Sequence, residues 1–414
     1  MNTRPKNWEI KKLGEVCFTT SGGTPSRKNA KYYGGTIPWV KSGELDKGLI
    51  LDTEEKITDE AIKNSSAKVF PKGTLLIALY GATIGKLAFL GIDAATNQAV
   101  CGIYENENVL SRFLSNFLYF KRPSLVKQGI GGAQPNISQG ILKNLDLPLP
   151  PIYEQERIVA KIEELFSELD AGVESLKKAQ AQLKTYRQAV LKHAFEGRLT
   201  NENVPDGELP DGWKRVVLPG LTEKISDGPF GSHLKSIDYI DQGVRVIRLE
   251  NIGVLKFRDE LQSFVSEEKY GTISNHTVTK GDIIFSSFIV GETRVAILPP
   301  HIERAINKSD CFLVRVSPTQ VSNRYLAFFL ATKENYNQLV NQVHGATRPR
   351  INTTQLKSSL VPICSLEEQE RVVEEIESRL SVCDKLDEAI ETGLKQSEAL
   401  RQSILKQAFE GKLV

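Results

Sequence analysis

One segment of this chain occurs twice. Glu154-Gln155-Glu156-Arg157 returns as Glu368-Gln369-Glu370-Arg371, and Ala194-Phe195-Glu196-Gly197-Arg198-Leu199 returns as Ala408-Phe409-Glu410-Gly411-Lys412-Leu413. Both pairs are 214 residues apart, so no residue has been gained or lost between them. About twenty of roughly 46 positions are identical, which makes this an internal repeat. A chain made of two copies of one unit is suited to a target that itself has two similar halves.

With 414 residues, the chain is too long for one ordinary core and suggests two to four domains. Its 40% hydrophobic and 25% charged residues are the balance of a globular protein, and no apolar run is long enough to span a bilayer. The N-terminus has no apolar signal core. Cys17, Cys101, Cys311, Cys364 and Cys383 are odd in number and never spaced C-x-x-C, so they read as reduced thiols in a cytoplasmic protein. The net charge of +2 is unevenly spread. Residues 1–150 carry 19 basic against 13 acidic side chains, whereas residues 361–414 carry 7 against 12. A moderately basic first block is compatible with a phosphate backbone as partner, though many such blocks bind none.

Apolar residues fall at Ile158, Ile162, Leu165, Leu169, Val173, Leu176, Leu183 and Val190, steps that trace one stripe on a long helix. Pro148, Pro150 and Pro151 mark its start and Gly197 its C-terminal cap. The second copy has Val372, Ile376, Leu380, Cys383, Leu386, Ile390, Leu394, Leu400 and Ile404, with Ser365 and Glu368 as a capping box and Gly411 as the close. From Glu154 to Lys192 each helix counts 39 residues, about 58 Å at roughly 1.5 Å per residue. Such a stripe cannot stay in water. It is covered either by a second chain or by its twin in the same chain, and pairing within the chain is the simpler solution.

The blocks before the helices also match, more weakly. Trp8 corresponds to Trp213, Pro71-Lys72-Gly73 to Thr279-Lys280-Gly281, Arg112-Phe113-Leu114 to Arg324-Tyr325-Leu326, and Gly132-Ala133-Gln134-Pro135 to Gly345-Ala346-Thr347-Arg348-Pro349. Leu75–Leu79, Val244–Leu249 and Phe312–Val316 read as strands, so each block is a mixed α/β domain. The order is a first block over 1–150, a helix within 151–200, a linker over 201–212, a second block over 213–360 and a helix within 361–414. The repeat is also cyclic: Gly197 runs on towards Trp213, while Gly411 ends the chain that Trp8 opens, so the two junctions should be equivalent. Blocks that diverge on a kept framework are the parts suited to recognition.

The duplicated strings, together with Leu149-Pro150-Pro151, Ser21-Gly22-Gly23-Thr24-Pro25-Ser26 and Ile37-Pro38-Trp39-Val40-Lys41-Ser42-Gly43-Glu44-Leu45, closely resemble the specificity subunit of type I restriction-modification systems. The resemblance covers essentially the whole chain. It implies two target-recognition domains, each reading one half of a split double-stranded DNA target, joined by two long helices that form an intramolecular antiparallel coiled coil with pseudo-two-fold symmetry. The coil acts as a ruler for the unread spacer. The resemblance further implies docking of two methyltransferase subunits, which use S-adenosylmethionine, and of motor-nuclease subunits, which use ATP and magnesium. A stand-alone DNA-binding regulator and a coiled-coil protein scaffold are the competing readings.

No catalytic motif stands in the chain itself, so the expectation is a non-enzyme without cofactor or metal. Gly81-Ala82-Thr83-Ile84-Gly85-Lys86-Leu87 imitates a phosphate-binding loop but is one residue short, with leucine where magnesium needs a hydroxyl. His193, His233, His276, His301 and His344 are scattered and form no ligand set. Base reading needs Arg or Lys for guanine and Asn or Gln for adenine on loops that can enter a groove. In the first block the candidates are Thr24, Arg27 and Lys28; Lys41 and Ser42; Tyr80, Thr83 and Lys86; and Gln134 with Asn136. In the second they are Ser232, His233 and Lys235; Arg245, Arg248 and Asn251; Arg294; and Arg348, Arg350 and Asn352. Phosphate contacts outnumber base contacts, so a given Lys or Arg more often positions than specifies. Gly22-Gly23 and Gly131-Gly132 are either turns or close approaches, Tyr32, Tyr33 and Trp39 either core or stacking platforms, and Glu44 and Glu250 either local caps or acceptors from cytosine.

Overall fold

The computed structural model describes residues 5–129, 135–231, 233–343 and 349–414; the candidates Gln134, Ser232 and Arg348, with Gly131-Gly132, lie outside them. Two compact units form, one of Met1–Leu176 with Thr392–Val414 and the other of Lys177–Glu391. The long helices run Ile152–Phe195 and Leu366–Phe409, 44 residues each and about 66 Å at roughly 1.5 Å per residue. They exceed the sequence estimate at both ends: the central helix gains a first turn directly after its prolines, with Glu154 and Gln155 donating to the Pro151 carbonyl, and each helix runs on to its phenylalanine. Each ends in a Schellman motif. Gly197 (φ 75°) bonds back to Ala194 and Arg198 to His193; Gly411 (φ 71°) bonds to Ala408 and Lys412 to Gln407.

In the first unit, Glu9–Lys12 pairs antiparallel with Asp146–Leu149 and brings the chain start beside the central helix. A five-stranded sheet follows the order Thr19–Ser21, Val100–Ile103, Leu75–Ala78, Leu87–Leu90, Leu49–Ile50, and a four-stranded sheet the order Glu55–Ile57, Tyr33–Val40, Ala94–Thr96, Val69–Phe70. The second unit repeats the plan. Its ribbon is Lys214–Val217 with Leu360–Ile363; its sheets are Thr222–Ser226, Cys311–Val316, Ile283–Ser286, Val295–Ile297 and Tyr239–Ile240, Phe264–Val265, Val244–Ile247, Ala305–Asn307, Thr277–Val278. In both, a parallel pair lies within the second sheet, Val40 opposite Thr96 and Ile247 opposite Asn307, and the first unit has another in its five-stranded sheet, Ile50 opposite Leu90.

The strand runs are buried on both faces rather than alternately exposed. Leu75 and Ile77 join Phe113, Phe117, Ile158 and Ile162 in one core, while Leu76 and Ala78 join Val40, Phe70 and Val100 in another. Ile283 and Phe285 against Ile284 divide the same way in the second unit. Period two therefore sorts residues between two cores.

The repeated strings lock helix to block. Gln155 and Gln369 are fully buried. Gln155 Oε1 accepts from the Leu110 amide at 2.9 Å and its Nε2 donates to the Asn108 and Pro150 carbonyls; Gln369 does the same with the Ser322 amide and the Gln320 and Cys364 carbonyls. Phe409 packs edge-on against Phe113 and Phe117 at 5.3 and 5.4 Å, and Phe195 against Tyr325 and Phe329 at 5.0 and 5.3 Å. Each block is thus completed by the end of the helix that follows the other block. The junctions are equivalent as the cyclic repeat requires: a Cβ on Gly411 would lie 2.3 Å from Pro5, and one on Gly197 2.3 Å from Pro210.

Between the helices, Arg401 pairs with Asp170 and lies 4.6 Å over the Phe166 ring in the first unit, and Leu176 meets Gly393. In the second, Arg187 reaches Asp384 at 2.6 Å and Asp387 at 2.8 Å. Two details differ from the sequence reading. Leu386 and Leu400 are 47% and 51% exposed, because Asp387 and Arg401 take the neighbouring inward positions. The capping box at Ser365 is half formed: the hydroxyl accepts from the Glu368 amide, but the Glu368 carboxylate turns to Thr200, Asn201 and Arg371.

Gln369→Leu leaves one amide and two carbonyls unpaired in a dry core, where each orphaned group costs about 1–3 kcal/mol. Hydrogen-exchange protection should fall over residues 320–330 and stay unchanged over 108–118; equal protection in wild type and variant would contradict the clamp.

Candidate nucleic-acid interface

Close backbone approach shapes the first loop. A Cβ on Gly22 would lie 2.2 Å from the Thr96 carbonyl oxygen and one on Gly23 2.4 Å from Ser66, so both glycines serve packing and neither has a left-handed φ. Trp39 is core, donating its indole N–H to the Gly23 carbonyl at 3.1 Å, with Tyr33 edge-on at 6.0 Å. On the outer side of these rings lies Arg27, 4.3 Å over Tyr33 and 2.6 Å from Glu55. Thr24 bonds to Gln98, and Lys28 is exposed.

Lys41 ends the strand Tyr33–Val40 and opens the turn Ser42–Lys47. Its ammonium sits 2.8 Å from Glu54 and 3.2 Å from Glu55, so Arg27 and Lys41 share one carboxylate. Glu44 is a buried cap, accepting from the Lys41 and Glu54 amides and from Lys47. The loop Tyr80–Lys86 folds onto this turn through Lys86 and Asp46 at 2.5 Å. Tyr80 forms an isolated bridge with Asn136, and Thr83 donates to the Tyr80 carbonyl. Four of the sequence-derived groups in the first block therefore meet in one loop cluster.

That loop is no nucleotide cradle. Four of its amides are occupied, Gly81 by Pro135, Ile84 by Gly81, Gly85 by Ala78 and Lys86 by Thr83. A strand, Leu87–Leu90, follows where a phosphate site needs a helix N-terminus.

The second block builds a matching cluster. Gly228 abuts Asn307 as Gly22 abuts Thr96, a Cβ there lying 2.1 Å from the Asn307 carbonyl oxygen. Arg248 ends a strand and opens the turn Leu249–Asn251, as Lys41 does in the first block. It bonds Ser263 and Glu250 and lies 5.7 Å over Tyr239. Arg294 crosses from the neighbouring loop to the Leu249 carbonyl and Ser286. Phe288 bridges Arg350 as Tyr80 bridges Asn136, and Arg350 pairs with Asp310 at 2.5 Å. His233 and Lys235 are exposed on the Gly228 loop.

Three candidates are committed to the block itself. Arg245 is 7% exposed, paired with Asp259 at 2.8 Å and bonded to the Leu261 carbonyl; burial lowers its pKa, with Asp259 opposing. Asn251 is buried and bonds the Arg248 amide and the Arg258 and Leu261 carbonyls. Asn352 caps Thr353–Lys357. Sequence reasoning missed Asp46, Glu55 and Asp310, the carboxylates that hold the exposed cations. It also missed the turn at Lys308–Asp310, where the Lys308 amide bonds Ile247 and the Asp310 carbonyl accepts from Ser287. No local signal marks these residues; only strand pairing brings them in.

Each unit also carries a groove where block meets helix. In the first, a cavity of about 370 Å³ is lined by Glu163, Phe166, Ser167 and Asp170 opposite Arg112 and Phe89. In the second, one of about 660 Å³ is lined by Glu377, Leu380, Ser381 and Asp384 opposite Phe328 and Tyr336. The four helix positions are again 214 residues apart. Burial raises every thiol, Cys101 to about 11 and Cys364 to about 12, so none is a nucleophile. Among the described residues no group of side chains could hold a metal ion.

A family model described as the type I restriction modification DNA specificity domain matches residues 5–184 and again 238–397. The MjaVIII type I restriction enzyme specificity subunit of Methanocaldococcus jannaschii is 23% identical over 416 residues, covering 99% of this chain and 93% of that protein. The EcoBI specificity subunit of Escherichia coli is 28% identical over 342 residues, covering 77% and 69%. Among solved structures, a chain described for the complex assembly and conformational transition of the type I R-M system superposes with a TM-score of 0.77 at 22% identity, covering 99% of each chain. The HsdS subunit from Thermoanaerobacter tengcongensis gives 0.54 at 22% identity over 99% and 98%. At these identities the structural likeness concerns the fold.

The five cysteines, all buried and unpaired, should resist a disulfide reagent at pH 8 in the folded chain and react in full once denatured. Rapid reaction of even one thiol in the folded state would contradict the placement.

Proposed function

The chain belongs to the family of type I restriction-modification DNA specificity domains, and we propose that it is the non-catalytic subunit that reads a bipartite double-stranded DNA target, one half with each block. The single observation that carries this reading is the duplicated loop cluster: the Lys41 and Arg248 turns, the Lys86 and Arg294 loops, and the Asn136 and Arg350 segments stand at matching places in two units. Cationic and amide side chains on loops held by sheets suit phosphate positioning and base-edge contact. S-adenosylmethionine, ATP and magnesium then belong to partner subunits.

The long helices serve as an intramolecular antiparallel coiled coil. Support comes from the two ion pairs: Asp170 with Arg401 and Arg187 with Asp384 share one sum of residue numbers, as opposed positions on two oppositely directed helices must. A length of about 66 Å bounds the target to roughly 19 base pairs at about 3.4 Å each. Inserting one heptad after Leu176 and one after Ile390 should lengthen the rod by about 10 Å and the unread spacer by roughly three base pairs, with both half-sites kept. A methylation map of cells expressing the variant with its methyltransferase decides it; altered half-sites at constant spacing would overturn the reading.

The two equivalent grooves are suited to two copies of one partner, the methyltransferase subunits. Ser167 and Ser381 are exposed in them. Ser167→Arg with Ser381→Arg should abolish co-purification of the methyltransferase while the isolated chain keeps its DNA affinity. Undiminished co-purification would exclude the grooves.

A further inference from the structure

Five cations of the two loop clusters, Arg27, Lys41, Lys86, Arg248 and Arg350, already hold a carboxylate. In the first block Arg27 and Lys41 converge on Glu55, with Glu54 also on Lys41, and Lys86 holds Asp46. In the second, Arg350 holds Asp310 and Arg248 holds Glu250. The pairs do not share residue positions between the blocks: Glu55 opens a strand edge, Asp46 sits in a turn and Asp310 follows a parallel strand. The same arrangement is reached by different residues in two diverged blocks, so it is not a by-product of the repeat.

Resting on the DNA-reading function proposed above, we infer that Glu55, Asp46 and Asp310 act as tethered counterions that limit DNA affinity, holding the interface cations against indiscriminate phosphate binding. Exposed ion pairs are weak, so a correctly seated duplex that also offers base contacts can displace the carboxylate. A duplex offering only phosphates must break the same pairs with nothing further gained. The cost falls on both complexes and leaves the difference between their affinities unchanged; it sets a threshold, bringing the phosphate-only complex below useful affinity while the base-contacted one stays above it. The arrangement also marks the salt dependence. Phosphate neutralisation releases condensed cations from DNA. A carboxylate freed beside the duplex takes a cation back, so each such pair flattens the dependence of affinity on salt.

Fluorescence anisotropy with the full-length chain and a 30-base-pair duplex of arbitrary sequence tests this, across a sodium chloride titration. Glu55→Gln, Asp46→Asn and Asp310→Asn are isosteric, with Asp46 exposed and Glu55 and Asp310 half-buried. Each should tighten binding to the arbitrary duplex by about two- to fivefold, and the triple variant should steepen the slope of log K against log salt by about one for each cation freed. Equal or weaker binding in all three single variants, with folding verified by circular dichroism, overturns the inference. Should one variant fail to fold, the other two, on separate loops, carry the test. Absence of binding to the duplex at low salt by both the wild type and the triple variant removes the DNA reading itself, whereas a DNA-binding wild type matched by its variants removes only the counterion role.

Discussion

The structure depends on an exchange: each block buries the end of the helix that follows the other block. Phe409 enters the core of the first unit beside Phe113 and Phe117, and Phe195 enters that of the second beside Tyr325 and Phe329. Emptying such a site costs about 3–5 kcal/mol. The buried glutamines of the Glu-Gln-Glu-Arg strings do the complementary task at the opposite end of each helix, tying its first turn to the block that precedes it. With one end of each helix held by Gln and the other by Phe, neither helix can slide along its stripe without emptying a core. The identical 214-residue offsets follow from this. An insertion in one copy would pull either a phenylalanine or a glutamine out of its seat.

Between these anchors the blocks are free to differ. The first unit has a head helix of 18 residues at Ser111–Gln128, the second only eight at Asn323–Leu330, yet Leu110 and Ser322 meet their glutamines alike. Loop clusters sit at strand ends, where exposed side chains such as Lys28 and Lys235 can change without disturbing Gln155 or Phe409. Rigid sheets behind variable loops are what a family of readers with different targets requires.

Much of this was legible in residues. Prolines before and glycines after the helices marked their ends to within a few positions, because a missing N–H and a left-handed φ have no substitute there. Strand runs were legible but their exposure was not: Leu75–Ala78 alternates between two cores, and alternation alone does not say whether the second face meets water. Leu386 and Leu400 fit the apolar spacing as well as their neighbours did, and only the facing helix decided that Asp387 and Arg401 point inward instead. Glu368 satisfied a capping pattern and was taken by Thr200 and Asn201, which sequence distance concealed.

The sequence by itself determined the duplication, the long helices with their caps, the mixed α/β character of the blocks and the family, since these rest on periodicity, backbone chemistry and repeated strings that are local or self-comparing. Tertiary structure alone decided which cations share a cluster, that Arg245, Asn251 and Asn352 serve the fold, and that Glu55, Asp46 and Asp310 hold Arg27, Lys41, Lys86 and Arg350. Those facts rest on contacts between strands and loops far apart in the chain, and a short-range ionic bond leaves no trace in the order of the residues that make it.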